Sequence, residues 1–334
     1  MRQLPLLLIA LIITSCIASS GIDPLPEDSD EPGWHQGTLD HDGLERAFRF
    51  YIPEMLPSGS PVVFLLHGGT QSMDAIFRPN AGGTNEWPKL AEEEQFLLVV
   101  PNGMDVETGS TDGDNQNWND CRADAPDNFS LSEADDVGFI TELTYWAESR
   151  FEIDTSAMYA TGSSNGGQMA YRLGIERPEY FAAIAAFIGN LPEDSQCEKP
   201  SNRMPVLMMN GTDDPIIPFE GGATDRGTYL SAPATRDIWA DVNNVAKELR
   251  TETELPDNDP NDESIIICED DQDPENPDDL ILRFCRIEGG GHVMPSIEHS
   301  VPRFVERRTG PQNRDIEGVR FAWEFLSVHQ NDGY

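Results

Sequence analysis

The chain has 334 residues, 38% of them hydrophobic, which is enough for one large domain with a substantial core. Its 60 acidic and 22 basic residues leave a formal charge of −38. A surface this acidic excludes nucleic acid and anionic membranes as electrostatic partners, and it points to a saline habitat where salt screens the self-repulsion.

Residues 1–20 carry one arginine, Arg2, followed by an apolar run too short to cross a bilayer as a mature helix. The run ends in Ile13-Thr14-Ser15-Cys16, which resembles a bacterial lipobox. Residues 1–16 therefore read as a lipoprotein signal peptide, with Cys16 lipidated and the membrane reached only through that anchor. The expected location is the cell surface or outer membrane. Residues 17–43, rich in Pro, Gly, Ser and acid, read as a flexible acidic tether, and residues 44–334 as the folded domain.

Within that domain, Arg46 to Ile52 alternates as an outer strand would. Pro61–Leu66 and Phe96–Val100 are short apolar runs, typical of parallel strands covered on both faces. A polar loop at 103–131 precedes Val137, Ile140, Leu143, Ala147 and Phe151, whose spacing predicts a helix over about 133–150. A strand at Ala157–Thr161 leads into a second helix that runs to about Leu173. Phe181–Ile188 and Met204–Met209 are further buried strands, and a helix is expected over about 234–249. Residues 252–279 form an acidic excursion with one short strand at Ile265–Cys268. Leu280–Ile287 is the last strand, and a helix over about 315–329 closes the chain. This alternation predicts an α/β fold with a mostly parallel central sheet and helices on both faces.

Gly162-Ser163-Ser164-Asn165-Gly166 falls where the strand at 157–161 turns into its helix. In the α/β-hydrolase fold, G-x-S-x-G at that place is the elbow that lifts a nucleophilic serine above the sheet. A serine needs a base, and the base needs an acid to fix its tautomer; in this fold they follow the serine in the order acid, then histidine. Asp213 and Asp214 both stand just past the strand Met204–Met209, and either suits the acid. Of the histidines beyond them, His292 follows Gly289-Gly290-Gly291 on the loop after the last strand; His299 lacks the glycines and His329 belongs to the final helix. The oxyanion hole needs two backbone N–H groups. Asn165, next to the nucleophile, supplies one, and Gly69 of His67-Gly68-Gly69-Thr70 the other, with Thr70 next in line. His67 reads as a brace of that loop, Thr70 as a candidate pocket residue, and Trp118 either as a candidate pocket residue or as a buried tryptophan of its loop. Asp135 and Asp136 open a helix, where the dipole favours carboxylates.

If Cys16 carries lipid, four cysteines remain, an even number in an exported chain. Cys268 and Cys285 lie on strands that could pair as a hairpin, and Cys121 would then pair with Cys197; other connectivities stay open. No CxxC or His/Cys cluster suggests a metal site, and the acidic segments lack EF-hand spacing, so neither metal nor organic cofactor is expected.

Taken together, His67-Gly68-Gly69-Thr70-Gln71, Trp118-Asn119, Asp135 to Phe139, Gly162 to Gly167, Gly211 to Pro215 and Gly290 to Pro295 resemble the poly(3-hydroxybutyrate) depolymerase and feruloyl esterase family. The resemblance covers about residues 44–329. It implies an α/β-hydrolase fold and a secreted carboxylic-ester hydrolase, and in the family's Gly-Thr-x-Asp turn the triad acid maps to Asp214. It thus implies Ser164, Asp214 and His292 as catalytic residues, acting through an acyl-enzyme. Depolymerases of this kind often have cysteine where Gly69 stands and add a separate surface-binding module. The implied substrate is therefore a soluble or polysaccharide-linked feruloyl or acetyl ester more than a hydroxyalkanoate polyester or its oligomer, and the implied state a monomer. A serine peptidase of the same fold and a non-catalytic glycan-binding lipoprotein are the rival readings.

The charge excess makes a first prediction. The melting temperature should rise by several degrees as salt shrinks the Debye length from about 10 Å at 0.1 M to about 3 Å at 1 M. A flat curve in a thermal scan would remove the saline-habitat reading.

Overall fold

The computed structural model describes residues 31–125 and 132–331, so Cys16 lies outside the described residues. The sheet begins with β1 (Gly33–His41), which pairs antiparallel with β2 (Leu44–Ile52). This corrects the reading of 17–43 as a tether throughout. The connection is Asp42-Gly43, both at positive φ (53° and 76°), the geometry of a two-residue hairpin turn. Of the residues in β1, Gly37 and Leu39 alone are buried, so its pattern is too polar to announce a strand.

The apolar runs follow as β3 (Ser60–Leu66), β4 (Leu97–Pro101), β5 (Ile153–Ser163), β6 (Ala183–Phe187) and β7 (Val206–Gly211). A small hairpin of β8 (Gly222–Thr224) and β9 (Gly227–Tyr229) stands outside the main sheet. Then come β10 (Thr251–Glu254), β11 (Ile265–Gln272) and β12 (Leu280–Glu288). The main sheet orders them β1-β2-β4-β3-β5-β6-β7-β12-β11-β10. From β4 to β12 every neighbouring pair is parallel, while both edges are antiparallel. The central strands are almost wholly buried, as their unbroken apolar sequences require.

Helices cover both faces. On one, α2 (Asp136–Arg150), α3 (Asn165–Glu176) and α4 (Ala232–Val242) bury Phe139, Trp146, Leu173 and Trp239 against Phe64, Val99 and Val206. On the other, α1 (Trp87–Glu94) and α6 (Gly318–Leu326) bury Trp87, Leu90 and Phe325 against Val63, Leu98 and Met209. A further helix, α5 (Arg303–Thr309), keeps no fully buried residue. The helix expected over 234–249 stops at Val242, and only Lys247–Leu249 resumes, as a 3-10 turn. Both disulfides form, Cys121 to Cys197 and Cys268 to Cys285, the second between residues directly opposite in β11 and β12.

A buried ion pair clamps β2 to α2. Arg46 lies over the Phe139 ring and donates to Asp136 Oδ1 at 2.6 Å and to Asn102 O at 3.1 Å. Asp136 also accepts from Asn119 N at 2.8 Å. Burial pushes the Asp136 pKa up, and the Arg46 charge opposes that shift. Asp136 is thus a buried charge partner, whereas Asp135 performs the capping expected at a helix start by accepting from Gly138 N at 2.9 Å. Removing Arg46 leaves a buried carboxylate alone, so Arg46→Ala should lower the unfolding free energy by about 3–5 kcal/mol. Urea unfolding measures this, and a loss below about 1 kcal/mol would contradict the clamp.

Candidate active site

Ser164 stands between the end of β5 and the start of α3 with φ +57° and ψ −123°. Two glycines make that turn possible. A Cβ on Gly162 would come within 2.6 Å of Leu66 O, and one on Gly166 within 2.2 Å of the same atom. The turn is fixed by Ser164 N donating to Phe187 O on β6 and by Gln168 N donating to Ser164 O, both at 2.9 Å. The serine is half-buried and takes no part in capping the helix through its side chain.

His292 and Asp214 meet across two adjacent strand ends. β7 and β12 are parallel neighbours, so the turns that follow them lie side by side. Asp213 N donates to Gly290 O at 2.9 Å and stitches the turns together. His292 Nδ1 then reaches Asp214 Oδ2 at 2.6 Å. A carboxylate only accepts, so Nδ1 carries the hydrogen and Nε2 is left as the basic nitrogen. Asp214 Oδ1 accepts from Ile216 N at 2.7 Å and Ile217 N at 2.9 Å, which holds the carboxylate in one orientation. Asp213, by contrast, is exposed. His299 meets Glu86 at 3.2 Å, and His329 is buried beside Phe325.

Ser164 and His292 share a cleft of about 480 Å³, walled also by Gly69, Thr70, Met294 and Arg308. It opens at the carboxyl ends of the central strands, where α/β sheets hold their ligands. A slightly larger hollow, about 540 Å³, lies at the other ends of β6, β7 and β12 among Arg203, Asp273 and His329. Among the described residues lining it, no nucleophile stands beside a base.

The loop after β3 approaches the serine. The Thr70 N–H donates to Asn117 Oδ1 at 3.1 Å, whereas the Gly69 N–H has no protein acceptor among the described residues. Asn165 is the first residue of α3, where backbone N–H groups have no partner within the helix. Both N–H groups can therefore receive an oxyanion. His67 supports the loop from behind: Nδ1 donates to Gly68 O at 2.8 Å and Nε2 accepts from Gly103 N at 3.0 Å. Trp118 does not line the cleft. It is fully buried, stacks on His67 with ring centroids 4.6 Å apart, and donates from Nε1 to His67 O at 2.8 Å.

Sequence reasoning passes over a buried polar chain beneath Asn165. Its side chain accepts from Trp118 N at 2.8 Å and donates to Asp120 Oδ2 at 2.5 Å. Asp120 binds Arg122 Nε at 2.9 Å, and Arg122 continues to Arg226 O and to the Tyr229 hydroxyl on β9. The available signal was the placement of an acid and an arginine on either side of Cys121. The three acidic or sulfur groups that cluster here, Cys121, Cys197 and Glu176, offer no metal site, because the two sulfurs are bonded to each other.

The model of the Esterase family ("Putative esterase") matches residues 43–248, more than half of the chain. The chain belongs to the Esterase family. The matched region contains Ser164 and Asp214 and ends before His292. Among curated proteins, this esterase is 31% identical over 188 residues to "Putative esterase NocK" of Nocardia uniformis subsp. tsuyamanensis, covering 54% of this chain and 49% of that one. It is 25% identical over 231 residues to feruloyl esterase C of Emericella nidulans, covering 66% of this chain and 76% of the relative. The bifunctional acetylxylan esterase/xylanase XynS20E of Neocallimastix patriciarum aligns with 87% of this chain and 34% of its own length at 26% identity. The chain spans about half the length of the curated relatives that head the comparison. An acetyl xylan esterase structure from Aspergillus awamori superposes with a TM-score of 0.56 at 15% identity, covering 88% of this chain and 98% of that one. At that identity the likeness shows a common α/β-hydrolase fold.

Burial lowers the His67 pKa to about 4, with the nearby Arg46 charge adding to it against the hydrogen bond to Gly68 O. Burial likewise lowers that of His329 to about 4, against Asp279 and Asp273. An unfolded histidine takes its proton near 6.5, before either folded one does. Their stabilisation is therefore full above about pH 6.5 and is lost as pH falls toward 4. His67→Gln should flatten the stability–pH curve between about pH 6.5 and 5 by roughly 1 kcal/mol per unit. Unfolding free energies measured across that window test this, and an unchanged slope would contradict a buried neutral His67.

Proposed function

We propose that this protein is an exported serine ester hydrolase that removes feruloyl or acetyl groups esterified to polysaccharide. The observation that carries the reading is the His292–Asp214 hydrogen bond of 2.6 Å in the cleft that Ser164 enters at a strained elbow. Strain at a non-glycine residue persists only where surrounding structure enforces it, and it clusters at functional sites. The substrate class is supported by the relatives whose names state feruloyl and acetylxylan esters. Export is supported by two disulfides, which persist in oxidising compartments. Attachment through a lipidated Cys16 is part of the same proposal.

In the mechanism, Ser164 Oγ attacks the ester carbonyl carbon while His292 Nε2 takes the hydroxyl proton. Asp214 holds the imidazole in its Nδ1–H form and stabilises the imidazolium. The N–H groups of Gly69 and Asn165 receive the negative oxygen. The carbonyl re-forms as the carbon–oxygen bond to the alcohol breaks, and His292 gives that alcohol its proton. Water then attacks the acyl-serine, losing a proton to His292, and the acid leaves as Ser164 regains it. The groups that bind and move protons here are all side chains or backbone of this chain.

Hydrolysis of p-nitrophenyl acetate and methyl ferulate tests the reading. Ser164→Ala should reduce kcat by about 10⁵-fold or more, and Asp214→Asn by roughly 10²–10⁴-fold, with KM little changed. A folded wild-type protein that turns over neither ester, and that a fluorophosphonate fails to label, would refute it.

A further inference from the structure

The chain carries nearly three acidic residues for each basic one, yet none of the described residues lining the cleft is Asp or Glu. Two arginines stand there instead, Arg226 and Arg308. Arg308 belongs to α5, the helix joined to the histidine turn by the bond from His292 N to Thr309 O. Arg303 and Arg307 of the same helix wall a neighbouring open groove together with Glu306 and Pro311. All three α5 arginines are exposed, and none makes an ion pair among the described residues. This is unusual for the molecule, where carboxylates claim most other arginines, Arg46, Arg122, Arg250, Arg283 and Arg320 among them. The nearest acid on α5, Glu306, is itself bound to Arg314 at 2.7 Å. Asp225 lies 3.9 Å from Arg226 and is not among the cleft's lining residues.

We propose that the ester is presented on a carboxylated carrier, an acidic glycan of the acylated polyuronate kind. Arg308 holds a carboxylate next to the reacting ester, and Arg303 and Arg307 hold the chain where it leaves the cleft. This rests on the hydrolase reading above and names its substrate class. The argument is one of range and geometry. A net charge of −38 should repel an acidic polymer. At physiological salt, however, charges beyond about 8 Å are largely screened, and a bound carboxylate responds to the groups lining its own site. Arg303 and Arg307, four apart, share one face of α5, and Arg308 is turned about 100° from Arg307 toward the cleft, so the helix offers a cation to the groove and another to the cleft. Guanidinium groups match carboxylates by paired parallel hydrogen bonds, which favours arginine over lysine for this task. A neutral xylan or a simple aromatic ester would give these arginines no partner.

The experiment compares acetate release from O-acetylated polyglucuronate with release from the carboxyl-reduced polymer acetylated to the same degree. It uses the full chain at about 0.15 M salt, where a Debye length of about 8 Å screens the long-range repulsion, with p-nitrophenyl acetate alongside. The readout is the ratio of kcat/KM for the acidic polymer over the neutral one. Wild type should favour the acidic polymer by about tenfold, and the preference should shrink as salt is raised toward 1 M, where a Debye length of about 3 Å weakens the arginine contacts themselves. Arg308→Glu should lower the ratio by about tenfold, and the double variant Arg303→Ala/Arg307→Ala by roughly threefold. Arg308→Gln serves where charge reversal disturbs folding, and circular dichroism checks each variant. A wild-type ratio of one or less, or a ratio that none of the variants moves, overturns the proposal. Hydrolysis of p-nitrophenyl acetate with neither polymer cleaved also overturns it and leaves the hydrolase reading intact. No hydrolysis of any of the three, with methyl ferulate also untouched and no fluorophosphonate label, removes both.

Discussion

The Leu66 carbonyl is the point of closest approach on which the site depends. It marks the end of β3, and the elbow after β5 passes so near that neither Gly162 nor Gly166 has room for a side chain. Two strand ends are thereby brought into register. The loop from Gly68 to Thr70 leaves one of them and Ser164 the other. A Cβ on Gly69 would already touch the Asn165 side chain at 3.4 Å, so the two N–H donors face a common small space. The proposed oxyanion hole is therefore first a matter of backbone packing between parallel strands.

Around this contact the protein commits an unusual share of its buried charge. Arg46 with Asp136 fixes the helix behind the polar loop, and Asp120 with Arg122 fixes the floor beneath Asn165. Buried ion pairs are weak sources of stability against an apolar alternative, because desolvation offsets attraction. What they do supply is direction. Asn165 can satisfy Trp118 N, Trp118 O and Asp120 together in only one orientation, and its backbone N–H is set with it. Replacing such a network with hydrocarbon would keep the segment buried while releasing the donor that the proposed reaction needs.

The parts legible in the sequence were those where one physical demand dominates. Central parallel strands must be apolar on both faces, so Val62–Leu66 and Val206–Met209 declare themselves. The elbow declares itself through glycines that nothing else could replace. β1 was hidden because an edge strand needs only half a face; its one clear sign was Asp42-Gly43, the pair that a tight hairpin favours. For Trp118 the polar loop left pocket and interior both open, and the structure puts it in the interior. Its Nε1–H and backbone are consumed inside the molecule by His67 and Asn165. The short helix α5 has no apolar stripe, since it lies on the rim with Phe304 exposed, so periodicity had nothing to report.

The two disulfides solve different problems in an acidic chain. Cys268 and Cys285 close a loop of 17 residues between β11 and β12, where acids crowd the sheet edge. There Arg283 pairs with Asp270, and Arg286 bridges Glu252, Glu269 and Glu288 across the strands, so a modest cross-link adds to charges already balanced. Cys121 and Cys197 span 76 residues, and by chain entropy alone that closure is worth about 4 kcal/mol against about 3 for the shorter loop. Its position matters more than its span. The bond anchors the residue between Asp120 and Arg122, so the covalent link and the buried ion pair restrain the same short segment. A loop of polar residues with little apolar burial of its own would otherwise be the least stable part of the structure. Here it is the part that must not move, because Asn165 takes its orientation from it.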